Sequence, residues 1–386
     1  MPNRTLVLNA RLPFRIGLFQ IVLQGETVRA IEPMAAAASD LAAVGRVIDV
    51  AGDWISLGAV DLQINGALGL AFPDLRPAHF EQFHSICELL WQQGVDGFCP
   101  TLVTTSPQNF QGSLAAIQAF QPQQGVNCAK ILGVHLEGPF LNPAKRGAHP
   151  AAFLQPLTLE NVKAVIGDYA QTVRIVTLAP EMTEDANIIE WLCGQNITVS
   201  LGHSLADKQQ ASRAIAAGAT MLTHAFNAMP GLHHRQPGLL SASLSDSRVF
   251  CGFIADGQHI CPTMLDLLLR IGRGSADTFA GGLFLVSDAL SPLGLADGTY
   301  PWDDREIEVV SGTARLADGT LAGTTLPLIA GAQNLVKWEL CNAEEAIALV
   351  TQFPRQAIGL PLLGPGSPAN LLRWQHQANT LTWQRL

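Results

Sequence analysis

The stretch "ITVSLGHSLADKQQASRAIAAGATMLTHAF", residues 197–226, decides the fold. It opens on a short apolar, β-branched run at 197–201, too brief for a helix and suited to a buried strand. "LADKQQASRAIAAG" (205–218) then starts at a capping residue, carries an amphipathic spacing and closes on glycine, which predicts a helix. A second short run, 220–223, follows at once. Strand, loop, amphipathic helix, strand is the repeating unit of a parallel sheet.

Working outward, the same rhythm begins after Gly58. Candidate strands lie at 57–64, 95–102, 131–136, 173–178, 197–201, 220–223, 249–255 and 283–287, and helical stretches such as "PAHFEQFHSICELLWQQG" (77–94) and "CPTMLDLLLRIG" (261–272) separate them. Eight buried strands alternating with helices predict an α/β chain whose main body is a parallel (β/α)8 TIM-type barrel. Before Ile55 the text alternates and turns often, as short antiparallel strands do, and the tail "GPGSPANLLRWQHQANTLTWQRL" returns to that alternation. The expected organisation is a catalytic barrel over 57–361 and one small β-sandwich domain made from 1–56 and 362–386. "EIEVVSGTARLADGTLAG" (306–323) holds Asp318-Gly319, a turn signal that predicts a hairpin inserted after the eighth strand, with two helices to follow (325–340 and 342–359).

Composition excludes several classes. Charged residues make up only 14% against 48% hydrophobic, so much of the chain is expected in an interior or a subunit interface, and a homo-oligomer, dimer or tetramer, is anticipated. The net charge of −9 argues against nucleic acid or an anionic membrane as partner. The seven cysteines are an odd total and form no C-x-x-C pair, which fits reduced thiols rather than a disulfide framework. The N-terminus has no long apolar signal region, and no run reaches the roughly 18 apolar residues a membrane span needs. A cytoplasmic, unexported protein is expected.

In such a barrel the C-terminal strand ends face the active site. The residues closing the candidate strands are Gln63 and Asn65, Thr101, His135 and Glu137, Glu181, His203, His224, Asp256 and His259, and Asp288. Singly, each has an ordinary alternative: a histidine bonded to a neighbouring loop, a carboxylate capping a turn. Together they form a ring of titratable groups, and a Glu, His, His set plus water suits a zinc-like ion with an open position.

Several of these residues lie in a set of motifs. "GVHLEGPFLNPAKRGAHP" (133–150), "ITVSLGHS" (197–204), "THAFNAMPGLHHRQPG" (223–238), "FIADGQH" (253–259), "LVSDA" (285–289) and "DGTLAGT" (318–324) closely resemble the N-acetylglucosamine-6-phosphate deacetylase family of the amidohydrolase superfamily, in family order, from Gly58 to "PGSPANL" at 365–371. The resemblance implies a TIM-type barrel with a small β-sandwich from both termini, a homo-oligomer, and hydrolysis of N-acetylglucosamine 6-phosphate to glucosamine 6-phosphate and acetate. It implies one divalent ion per subunit, zinc first and iron, manganese or cobalt as alternatives, held by Glu137, His203 and His224. Other amidohydrolases carry His-x-His on the first strand; "VDLQING" (60–66) has Gln63 and Asn65 there, as many members of this family do. Amides are poor ligands for such an ion, so both are expected to bond neighbouring loops. His135 is left outside the ligand set.

Asp288, at the end of the last candidate strand, is the expected general base and later acid; by the resemblance, His149 contacts the acetamido carbonyl. Arg235, His259 and the backbone around Asn227 and Ala228 meet the phosphorylated sugar, with Arg235 able to act on a neighbouring subunit. Ala148, Asp256, Gly257, Gln258, Leu321, Ala322 and Gly323 are expected to line the sugar pocket. His233 and His234 receive no role. The rival readings are an N-acetylgalactosamine-6-phosphate deacetylase, another one-metal amidohydrolase, and a non-catalytic barrel.

Overall fold

The computed structural model describes residues 4–34, 45–273 and 282–386. Eight parallel strands form its centre: Ala59–Ile64, Val95–Val103, Val134–Glu137, Val173–Leu178, Thr198–Leu201, Met221–Leu222, Phe250–Phe253 and Leu283–Leu285, each hydrogen-bonded to the next in that order. We number them first to eighth. The ring closes beyond the eighth strand, where Asp288 N donates to Gln63 O at 2.9 Å and Asn65 N to Ala289 O at 2.7 Å. The fold class is therefore the expected (β/α)8 barrel, and every candidate strand in 57–287 overlaps an observed one.

Local sequence explains the wrapping helices. Phe80–Gln92 buries Phe83, Ile86, Cys87 and Leu90, which fall on one helical face. In the unit read first, Lys208–Ala216 starts at a reciprocal cap: Gln210 N donates to Asp207 Oδ1 at 2.8 Å, and Asp207 N to Gln210 Oε1 at 2.9 Å. Inside the barrel one layer is polar. His135 bonds Leu62 O through Nδ1 at 3.1 Å and Thr177 Oγ1 through Nε2 at 2.7 Å, and the hydroxyls of Thr177, Thr223 and Ser200 continue the chain. Both nitrogens of His135 are thus engaged in structure.

The first strand is irregular where it meets the second. Asp61 pairs with Phe98 but Ile64 pairs with Pro100, so the first strand holds one extra residue just before Asn65. A bulge of this kind turns a strand end and its side chains.

Residues from both ends of the chain share a smaller core of Val7, Ala10, Ile21, Val28, Val50, Ile55 and Leu371. Above it lie a four-stranded sheet (Arg4–Ala10, Phe19–Gln24, Thr27–Pro33, Arg46–Asp49) and a three-stranded one (Trp54–Leu57, Leu371–Gln377, Thr380–Arg385). Residues 1–3 and 35–44, assigned to this region from sequence, lie outside the described residues.

Two details differ from expectation. The insertion after the eighth strand is a four-stranded antiparallel meander, Gly298–Trp302, Arg305–Val310, Thr313–Leu316 and Leu321–Thr324, rather than a single hairpin. Its own small core is Leu290, Trp302, Ile307, Val309 and Ala314. The second of the two terminal helices breaks at Thr351 into Ala343–Val350 and Gln352–Ala357. No helix among the described residues is long and apolar enough to cross a membrane.

Candidate active site

The C-terminal strand ends open into a cleft of about 610 Å³, within the range usual for small-molecule sites. Glu137 closes the third strand, His203 and His224 follow the fifth and sixth, and Asp288 follows the eighth. His203, His224 and Asp288 have positive φ (48°, 29° and 47°), a conformation uncommon outside glycine and more tolerated by His and Asp than by most residues. Such backbone cost recurs at functional sites, where the surrounding structure holds it.

Three atoms converge. Glu137 Oε1 lies 3.2 Å from His203 Nε2 and 3.1 Å from His224 Nε2, and the two nitrogens are 3.0 Å apart. Ligand atoms about 2.0–2.1 Å from a tetrahedral ion stand roughly 3.3–3.4 Å from one another, so a divalent ion needs only a slight opening of this triangle. The three groups are buried. His203 Nδ1 donates to Lys145 O at 2.9 Å, which leaves the Nε2 lone pair for the centre. Burial alone would raise the Glu137 carboxyl, but its hydrogen bonds with His203 and His224 hold it well below the usual carboxylate range. An anionic oxygen beside two imidazole nitrogens is a donor set that fits a divalent metal.

His149 stands at the edge of this triangle and, with Glu137 and His203, also falls within 4.8 Å ligand-atom separation. Its Nε2 is 3.8 Å from Oε2, the other oxygen of Glu137, so it faces the centre rather than completing it. The backbone N–H of Thr104 donates to His149 Nδ1 at 3.3 Å. Nδ1 also lies 2.9 Å from Thr104 Oγ1, so Thr104 anchors this side of the ring and leaves Nε2 aimed into the cleft. Burial, then the neighbouring His203, keep the ring neutral, with a pKa pushed down to about 3.

Gln63 and Asn65 bond a neighbouring loop at Asp288, as expected, and Gln63 also reaches the strand-end carboxylate of Glu137. Gln63 Nε2 donates to Glu137 Oε1 at 2.9 Å and to Asp288 Oδ1 at 3.2 Å, and Asn65 Nδ2 donates to the same Asp288 oxygen at 2.8 Å. Closure of the first strand on the eighth brings the amides against the carboxylates. Burial, then the negative charge of Glu137, raise the Asp288 carboxyl to about 6.

Of the other residues expected here, Ala148, Asn227, Ala228, His259, Leu321 and Ala322 line the cleft, whereas Arg235, Asp256, Gly257, Gln258 and Gly323 do not. Asp256 instead sits behind His259: its Oδ2 accepts from His259 Nδ1 at 2.7 Å, while Oδ1 accepts from the backbone N–H of Gln258 and His259. Gly323 lies against Asp288; a side-chain carbon there would stand 2.7 Å from the Asp288 carbonyl. Arg235 is on an exposed loop, 231–236. Sequence reasoning missed Asp74, Thr104, Phe153, Trp302, Asp303 and Asp304, all of which line the cleft. The last three sit on the inserted meander, and the one signal within reach was its length. None of the described lining residues is Lys or Arg.

No family model matches the chain. Curated relatives do. The N-acetylglucosamine-6-phosphate deacetylase of Mus musculus is 37% identical over 320 residues, 81% of this chain and 76% of its own length. The N-acetylgalactosamine-6-phosphate deacetylase of Escherichia coli O157:H7 is 33% identical over 317 residues, 81% of each chain. Among solved structures, the N-acetylglucosamine-6-phosphate deacetylase of Pasteurella multocida superposes with a TM-score of 0.82 at 26% identity, covering 99% of this chain and 100% of that one. A mutant of the Mycobacterium smegmatis enzyme in complex with N-acetyl-D-glucosamine-6-phosphate gives 0.82 at 27% identity, covering 100% and 98%. Barrel, converging Glu and His side chains and extended similarity agree: the chain belongs to the N-acetylglucosamine-6-phosphate deacetylase family of the amidohydrolase superfamily.

Proposed function

We propose that the protein hydrolyses the acetamide of N-acetylglucosamine 6-phosphate, releasing acetate and glucosamine 6-phosphate, with one divalent ion per subunit held by Glu137, His203 and His224. The observation that carries this reading is the triangle of Oε1 and two Nε2 atoms at 3.0–3.2 Å, with Asp288 joined to Glu137 through the Gln63 amide. Zinc suits the two imidazoles and one carboxylate, and iron, manganese and cobalt accept overlapping sets. An ion there supplies Lewis acidity, which makes water a nucleophile near neutral pH and polarises the amide carbonyl.

The chain's own groups do the rest. Asp288 Oδ1 is held by the amides of Gln63 and Asn65, which leaves Oδ2 to take a proton from the attacking water and return it to the departing nitrogen. His149 Nε2–H donates to the carbonyl oxygen as negative charge develops on it. Trp302 and Phe153 offer apolar walls for the sugar ring. Asp74, Asp303 and Asp304 disfavour an anion beside them, so we assign the phosphate to the part of the lining that Asn227, Ala228 and His259 supply. That part needs a cation. Arg235 is exposed and outside its own cleft, and we assign it to the site of a neighbouring copy in a homo-oligomer. Seven unpaired cysteines suit a cytoplasmic location.

The deciding experiment is acetate release by the metal-loaded protein from N-acetylglucosamine 6-phosphate, its galactosamine epimer and unphosphorylated N-acetylglucosamine. We expect the first to have the highest kcat/KM. A higher value for the epimer reassigns the sugar, equal turnover of the phosphate-free sugar removes phosphate recognition, and no acetate from any of them ends the proposal.

A further inference from the structure

Outside the cleft, the described residues hold a second group of metal-ligand type: His84, Glu88 and Cys128, whose ligand atoms all lie within 4.8 Å of one another. His84 and Glu88 are one turn apart on the helix Phe80–Gln92, and His84 Nε2 stands 3.5 Å from Glu88 Oε1. That is close to the roughly 3.4 Å edge of a tetrahedral site with N and O ligands. Cys128 comes from the loop that enters the strand Lys130–Ile131 and is buried beneath them, 1% exposed. Two of the candidate ligands are thus on the surface, free to adjust, and the sulfur is fixed.

The loop is shaped around this group. A side-chain carbon at Gly125 would lie 3.3 Å from His84 Cε1 and 3.9 Å from Cys128 Sγ, so the absence of one keeps the space beside both ligands open. Lys130 Nζ donates to Gly125 O at 2.6 Å and ties the loop's two ends. Burial, then the charge of Glu88, raise the Cys128 thiol, while Lys130 opposes them. None of these residues lines the cleft.

We propose that His84, Glu88 and Cys128 form a second, peripheral site for a soft divalent cation such as zinc, with solvent in its open position. On binding, the Cys128 sulfur gives up its proton to solvent and forms the metal–sulfur bond, as thiol ligands do. The bound ion staples the 125–128 loop to the outer face of the helix. It takes no part in the reaction.

Cobalt(II) separates the two sites, because thiolate ligation adds a near-ultraviolet charge-transfer band that a Glu, His, His set cannot produce. Titration of the full, reduced, metal-free protein is expected to reach two equivalents per chain, with that band present. Cys128→Ser should abolish the band and one equivalent while acetate release stays at the wild-type rate. His84→Ala, which truncates a part-exposed side chain, should weaken the second equivalent by at least about tenfold, the loss that even a supporting group outside the ligand set brings. His203→Ala should keep the band and lose the other equivalent. A single equivalent in the wild type, no near-ultraviolet band, or a band unchanged in both Cys128→Ser and His84→Ala overturns the proposal.

Discussion

At the scale of single residues, the working geometry depends on which oxygen of Asp288 is occupied. Two amide N–H groups hold Oδ1, so Asp288→Asn can keep both bonds through its remaining oxygen while placing an NH2 where the proton must be accepted. Loss of a general base usually costs about 10²–10⁴-fold in rate. We expect kcat to fall by that order with bound metal near one equivalent at the Glu137 centre; kcat within a few fold of wild type would remove Asp288 from the role. The same carboxyl sets a pH limit. It must be ionised to work, and burial with the Glu137 charge raises it to about 6 without an ion, a value that a bound cation pulls down. The acid limb of kcat/KM should therefore fall at or below about 6, and a midpoint above 7 would point to another group. His149 shows why residue identity alone was insufficient. The motif marks it, but the ring's orientation is set by the backbone and hydroxyl of Thr104, 45 positions away.

At the scale of elements, the barrel was legible because each strand is a short apolar run bounded by turns and each helix carries its own stops. The strand 220–223 was anticipated, although only Met221–Leu222 keeps ladder geometry before the chain turns at His224. The meander was not legible beyond one hairpin. Gly298–Trp302 contains Pro301 and mostly solvent-facing residues, so its pairing with Arg305–Val310 is an outcome of tertiary packing rather than of pattern. The roles of Gln63 and Asn65 were hidden for a related reason, since their shared partner Asp288 lies across the barrel seam, more than 220 residues along the chain. The fourth meander strand, Leu321–Thr324, buttresses that seam: Thr324 N donates to Asp288 O at 3.1 Å, and Gly323 packs on the same carbonyl. A methyl group at 323 would stand 2.7 Å from backbone oxygen, which must then move. Gly323→Ala is expected to lower kcat at least about tenfold through displacement of Asp288, because small misplacements at a reacting centre are costly, and to leave metal content unchanged. Wild-type kcat in this variant would show that the strand does not position the carboxylate.

At the scale of the whole molecule, the chain's two ends meet. We propose that 1–56 and 362–386 form one unit docked on the barrel 57–361. Leu371 belongs to the smaller core, while Leu372, Trp374 and Leu381 pack into the barrel's, so the C-terminal sheet has a face on each. A larger question is how an acidic protein gathers a cation for the proposed phosphorylated substrate when no Lys or Arg among the described residues lines its cleft. If Arg235 serves a neighbour, the complete site exists only in the oligomer, and subunit mixing tests this directly. In a two-fold dimer of Arg235→Ala with Asp288→Asn, one site carries both defects and the other has a native Asp288 and a native arginine from its partner. Random exchange of equal amounts then restores about a quarter of all sites to full activity, because half the dimers are mixed and each has one intact site. Measured at low substrate, where loss of the arginine costs most, the mixture should exceed the sum of its parents by that margin. No gain after verified exchange would place Arg235 in its own subunit's reach or outside the reaction, and a monomer by sedimentation would exclude action between copies altogether.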